Sequence, residues 1–206
     1  MSIAPLPDSE LAAVVTYLEM HERPVAEVPP SSLSLHRIQT PAPQRYRELF
    51  RSIGAPWLWF SRLIMDDDAL VAIIQHPQVE LSAVIDEHGR DIGMLELDFR
   101  EHGQCELAFV GLVPEFSGQG HGRWLLAEAV QRAWREAITR IHVHTCSLDH
   151  PAALAAYRRA GFRPYKRAIE RFPDPRLLGV LPADCAPQVP LLGTPTSAAP
   201  GPASCR

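Results

Sequence analysis

Residues 112–125 read LVPEFSGQGHGRWL, and three features of that stretch decide how the rest of the chain is read. An apolar run ends at Val113-Pro114, three alternating glycines follow (Gly118, Gly120, Gly122), and a helical pattern begins at once. Alternating glycines let a backbone turn sharply and approach a ligand with no Cβ in the way. The first N–H groups of a helix lack internal partners and carry partial positive charge. Together they make an anion site suited to a pyrophosphate. Its donors would be the main-chain amides of Gln119, Gly120, His121, Gly122 and Arg123, with the Arg123 guanidinium adding a side-chain contact. A P-loop is excluded, because Gly122-Arg123-Trp124 stands where Gly-Lys-Ser/Thr is needed. A dinucleotide-binding turn fits poorly: the glycine spacing is wrong and hairpin strands precede it. A structural turn without a ligand stays open as the plain alternative.

Outward from the turn, the pattern alternates strands and helices. After it, Leu126, Val130, Ala133, Trp134 and Ala137 form a core-facing stripe that predicts a helix over 122–138. Glu128–Arg132 and Arg132–Glu136 pairs lie on the other face of that helix. Before it, strands are expected over 79–85, 92–99 and 106–113, the first two joined by the turn Asp86-Glu87-His88-Gly89. Helices are expected over 44–53 and 66–75, the second with three aspartates at its positive end. A β-rich run over 11–20 leads into a Pro-rich connector over 23–30 and a short strand over 33–39. Downstream follow a strand over 141–146, a helix over 151–160 and a strand over 165–172. The last stretch, from 181, is rich in Pro, Ala and Ser without apolar period, and reads as a flexible tail with Cys185 and Cys205 outside the fold. The division expected is residues 1–32 as strand and connector, 33–178 as the domain, and 179–206 as tail.

The 206 residues are 46% hydrophobic, which suits one domain with a real core. Net charge is −4, so a basic nucleic-acid binder is not expected. Lys166 is the single lysine; with abundant Ala and Pro this matches a GC-rich bacterial genome. No run of about 18 apolar residues and no signal-type start are present, so a cytoplasmic protein with free thiols and no membrane span is the expectation. His142 and His144 alternate on one strand, with His121 and His150 elsewhere, but no ligand spacing supports a metal and none is expected.

A second block lies downstream: TCSLDHP at 145–151, then ALAAYRRAGF at 153–162. Pro151 suits a first helical turn, Asp149 or His150 can cap it, and Gly161 suits a left-handed helix end. With the glycine turn in this order and separation, the chain over about 33–172 resembles the GNAT superfamily of N-acetyltransferases. That family shows a V-x-P-like step, then [RQ]-x-x-G-x-[GA] at a helix start, and later Y-x-x-x-G-F. Ser117 stands where Arg or Gln is usual, and Asp149-His150-Pro151 replaces an Asn-type segment. The resemblance implies an α/β fold with a mixed, mostly antiparallel sheet of six to seven strands, about four flanking helices, and a splay between the family's fourth and fifth strands.

It also implies acetyl-coenzyme A as co-substrate and an amine, small molecule or peptide, as acceptor, with a homodimer left open. The pantetheine arm would pair with backbone near Leu112 and Val113, and Asp149 would join the cofactor contacts. Attack needs a neutral amine, so a general base is required. Glu106, on the strand leading to the splay, is the first choice; simple alternation puts it on the face of Ala108 and Val110 unless a bulge intervenes. Glu96 is the second choice, and a surface or strand-pairing role stays open for both. Tyr157 is the acid implied for the leaving thiolate. Trp57, Trp59, Phe60 and Arg62 would wall the acceptor site, with Glu96 beside them, although core packing is the stronger reading for at least one tryptophan. Glu19, Glu22 and Arg23 are more distant candidates. A catalytically inactive acyl-coenzyme A-binding regulatory module is the alternative function.

Overall fold

The computed structural model describes residues 3–25 and 27–193. In chain order the elements are β1 (Glu10–Met20), β2 (Ser34–Arg37), α1 (Pro43–Gly54), α2 (Asp67–Ile74), β3 (Val79–Ile85), β4 (Asp91–Asp98), β5 (Gln104–Leu112), α3 (His121–Ala133), β6 (Arg140–Cys146), α4 (Ala153–Arg159) and β7 (Arg163–Pro173). Single 3-10 turns cover Ala55–Trp57 and Pro114–Phe116. The local signals act as physics dictates. Asp66 caps α2 by accepting from the Ala69 amide at 2.8 Å. Gly161, at φ 103°, closes the end of α4.

The seven strands form one sheet in the order β2-β3-β4-β5-β6-β1-β7. Every neighbouring pair is antiparallel except β5–β6. That parallel pair has three rungs: Gln104–Arg140, Cys105–Ile141 and Glu106–His142. Beyond the last rung β5 keeps its register with β4 alone, while β6 turns to β1, with Val143 opposite Leu18 and Cys146 opposite Val15. The strands therefore part at Glu106, which is the expected splay. They are the family's fourth and fifth strands; the extra N-terminal strand takes the first number here.

Helices cover both faces. On one, Leu125, Leu126, Ala129, Val130 and Ala133 of α3 bury against Leu97, Leu107, Ile141 and Val143. Each leucine there contributes about 2 kcal/mol of transfer free energy. On the other, Tyr46, Phe50 and Ile53 of α1 and Leu70 and Ile74 of α2 pack on Leu81, Ala83 and Met94.

Four expectations are corrected. First, α3 stops at Ala133 rather than near 138, because Trp134 turns extended (φ −77°, ψ 112°). Second, α4 starts at Ala153, two residues after Pro151, and His150 rather than Asp149 takes an amide there, that of Ala152 at 3.1 Å. Third, β5 bulges at Ala108: Leu97 faces Leu107 while Glu96 faces Phe109. Leu107 and Val110 thus pack on the α3 side and Phe109 on the α1 side, so Glu106 shares the face of Phe109 and not of Val110.

Fourth, residues 179–193 lie on the domain instead of trailing from it. Leu181 and Ala186 bury against Leu58, with Cys185 packed beside them. Asp174 and Arg176, each 2% exposed, pair at 2.7 Å, and Arg176 also donates to the Val189 carbonyl at 2.8 Å. Gln188 donates to the Pro56 carbonyl. An arginine that satisfies loop carbonyls supplies order that apolar periodicity does not reveal. Cys205 and the remaining tail expectation lie outside the described residues.

Candidate active site

The glycine turn presents its amides outward. Gly120, at φ 87°, is the residue before α3, and no side chain caps that end. The amides of Gly118, Gln119, Gly120, His121 and Gly122 donate to no acceptor among the described residues. A Cβ placed at Gly118, Gly120 or Gly122 would meet nothing within 4 Å, so the cradle is open. One amide drops out of the expected set, since Arg123 bonds the Gly120 carbonyl, and that of Gly118 joins it; the Ser117 amide bonds the Pro114 carbonyl. Gln119 and His121 offer main chain only. The Gln119 amide group returns to the Glu115 carbonyl at 2.7 Å, and His121 Nδ1 lies 3.3 Å from Ser31 Oγ in the connector. Arg123 and Arg159 line a cavity that includes the turn and have no carboxylate partner among the described residues. Sequence reasoning missed Arg159, whose helical position alone carries no signal.

From this turn a cavity of about 1290 Å³ runs between α3 and α4, through the gap between β5 and β6, to the opposite face of the sheet. Val113 sends its amide to the Ile92 carbonyl at 2.8 Å. Hydrogen-bonding direction alternates along an antiparallel strand, so Leu112 and Val110 send theirs into the gap. Val113 is thereby replaced by Val110 as the second free backbone position beside Leu112.

Tyr157, on α4, lines the cavity and packs edge-on against Phe162. Burial, then the charge of Asp149, pushes its phenol well above the ordinary value. Glu106 lines the same cavity at the last β5–β6 rung. His144 Nδ1 lies 3.4 Å from Glu106 Oε1. That imidazole holds the Glu106 carboxyl below the usual range, against the effect of burial, and is itself raised by Glu106.

Asp149, three residues past β6, accepts three bonds: from Trp59 Nε1 at 3.1 Å, Thr145 Oγ1 at 2.7 Å and the Cys146 amide at 2.8 Å. It faces the cavity as a brace rather than as an open ligand group. Trp57 stacks edge-on to His150, and Trp59 packs on Phe50 and Phe109; both line the cavity. Arg62 lines it too, but its guanidinium is held by Glu96 at 2.7 Å. Glu96 is fully buried, also accepts from Tyr46 Oη at 2.6 Å, and does not reach the cavity. The structure thus separates Glu96 from Glu106: one anchors α1 and the 55–65 loop, the other faces the gap. Of the distant candidates, Arg23 lines the cavity and Glu19 pairs with Arg140 at 2.9 Å. Among the described residues no group of three or more His, Cys, Asp or Glu is placed to hold a metal, and no helix is long and apolar enough to cross a membrane.

Residues 42–162 match the model of the acetyltransferase (GNAT) family. This chain belongs to the GNAT family. A stretch of 86 residues is 31% identical to mycothiol acetyltransferase of Jonesia denitrificans, covering 41% of this chain and 27% of that protein. In solved structures the fold is similar to a GCN5-related N-acetyltransferase from Sphaerobacter thermophilus (TM-score 0.59, 17% identity, 78% of this chain and 51% of that one). It is similar also to a GCN5-related N-acetyltransferase from Kribbella flavida (TM-score 0.52, 20% identity, 78% and 57%). This GNAT chain therefore spans about a quarter to somewhat over half the length of these relatives. The family match covers the glycine turn, the splay and Tyr157 in one continuous segment.

Proposed function

We propose that this protein is an acetyl-coenzyme A-dependent N-acetyltransferase that acylates a primary amine by direct transfer in a ternary complex. The observation that carries the reading is the run of five free amides opening onto a cavity that crosses the sheet at Glu106. The open cradle, Arg123 and Arg159 fit a pyrophosphate-bearing co-substrate. The free backbone of Val110 and Leu112 fits an extended arm, and the Leu112 amide suits negative charge developing on a thioester oxygen.

The acceptor enters from the side walled by Trp57, Trp59 and Phe60. An ammonium surrenders one proton to Glu106, directly or through water, and the neutral nitrogen attacks the thioester carbon. As the carbon–sulfur bond breaks, Tyr157 gives its phenolic proton to the departing sulfur, which leaves as a thiol, and the second nitrogen proton passes through water to the phenolate. Burial keeps that phenol protonated through neutral pH, as a donor must be. Cys105, fully buried, and Cys146, pushed up to about 11 by burial, take no part.

The test is thiol release with acetyl-coenzyme A across a panel of amines. Turnover is expected for the parent, with kcat lowered roughly 100-fold in Tyr157→Phe and Glu106→Gln and coenzyme A affinity nearly intact. A parent protein that binds coenzyme A and acetylates nothing would instead be a regulatory binding module.

A further inference from the structure

His144 has a place in the site that sequence reading left unassigned. Its side chain lies at the gap between β5 and β6, half exposed, with Nδ1 toward Glu106 and Nε2 bonded to nothing among the described residues. The ring leans on Tyr17 of β1, with centroids 5.8 Å apart, which fixes its plane. It lines the cavity beside Glu106. A carboxylate that takes an amine proton inside a closed ternary complex must pass it on before the next cycle. Glu106 is itself about one-third exposed before substrate covers it, and among the described residues the titratable side chain paired with its carboxylate is the more exposed His144.

Resting on the acyl-transfer reading, we propose that His144 is the proton exit of this site, relaying to water the proton that Glu106 takes from the acceptor ammonium. The step balances without a further reactant. Glu106 gains a proton from nitrogen, passes it to Nδ1 of a neutral imidazole, and the imidazolium loses its Nε2 proton to water. Glu106 returns to the carboxylate and the imidazole to its neutral Nδ1–H tautomer, which exchanges back to Nε2–H through water before the next cycle. The long 3.4 Å separation is ordinary for a site without substrate and shortens when the proton moves.

The electrostatics run the right way. Glu106 is a weakened base and His144 a strengthened one, so a proton shared between them rests on the imidazole. Around His144 stand Glu106 from β5, His142 from β6, Asp149 after β6, Glu170 from β7 and Tyr17 from β1. The three carboxylates favour the imidazolium; His142, held low by burial, stays neutral and does not compete.

His144 acts through Glu106, so its test needs a readout that packing alone would not move. The pH dependence of kcat is measured for the parent, His144→Gln and His144→Gly, with coenzyme A affinity as the check on folding. The acid limb of the parent is expected above the ordinary imidazole value, because Glu106 raises His144. In His144→Gln it falls by more than one unit, toward the carboxylate range, with kcat at pH 7 lowered roughly tenfold. Added imidazole restores part of the rate in His144→Gly. A variant with unchanged rate and unchanged acid limb overturns the relay while leaving acyl transfer standing. A parent without turnover on any amine overturns both.

Discussion

Trp59 Nε1 donates to Asp149 Oδ1 at 3.1 Å, tying the loop that walls the acceptor half to the end of β6. The other oxygen of Asp149 holds Thr145 and the Cys146 amide, so one carboxylate joins that loop to the end of β6. Asp149→Ala leaves three donors unpaired at a partly buried position, at a cost of about 2–4 kcal/mol. Urea unfolding should show that loss. Steady-state kinetics should show the acceptor KM rising several-fold more than the KM for acetyl-coenzyme A. Equal effects on both would remove Trp59 from the acceptor wall.

Gly120 stands at φ 87° with open space where a side chain would go. Gly120→Ala therefore meets backbone strain and no clash, costing about 1 kcal/mol. If the turn tilts to relieve that strain, amides leave the cradle. Calorimetric titration should give coenzyme A binding weakened about tenfold or more, with thermal stability lowered by only a few degrees. Unaltered affinity would separate the turn from the diphosphate.

The pair of Glu106 and His144 has a defined pH window. His144 is raised in the fold, so its contribution is full below the unfolded value near 6.5 and is lost as pH rises through the folded one. Glu106 is lowered, so its contribution is present above about pH 4.3 and is lost as pH falls through its folded value. The pair stabilises most between those limits. The stability difference between parent and His144→Gln should be larger at pH 6 than at pH 8.5. It should stay below about 1 kcal/mol, because half of the imidazole is in water. Denaturant midpoints at the two pH values measure it.

Asp174 and Arg176 are both 2% exposed, and Arg176 also holds the loop carbonyl of Val189. Removing one partner strands a buried charge. Arg176→Met should cost about 3–5 kcal/mol, and Asp174→Leu combined with Arg176→Met should recover part of it. Unfolding curves of the single and double variants decide this. A single variant as stable as the parent would mean that residues 174–193 contribute little to the fold.

Much of this was legible in the sequence, for reasons that differ by element. The three glycines and the helix after them need a particular backbone, and Gly118 and Gly120 do hold positive φ. The α3 stripe at Leu126, Val130 and Ala133 marks a buried face that period alone predicts. The position of β1 between β6 and β7 was not legible, because strand pairing across more than 120 residues leaves no local signal. The bulge at Ala108 hides equally well: one inserted residue reverses every later side chain without altering composition. Glu96 and Glu106 look alike as strand glutamates. Only Tyr46 and Arg62, brought in by α1 and the loop after it, make one a buried anchor. The order of residues 179–193 comes from Arg176 bonding backbone carbonyls, which no hydrophobic pattern announces.

Diphosphate binding by the amides from Gly118 to Gly122 underlies the proposed acyl transfer. Its most direct measurement is the backbone amide spectrum of the isotope-labelled protein as coenzyme A is added. The account predicts that these five resonances move downfield together with saturating dependence, while NAD at matched concentration leaves them in place. Coenzyme A that fails to bind at millimolar concentration, or that binds while these amides stay still, would contradict it.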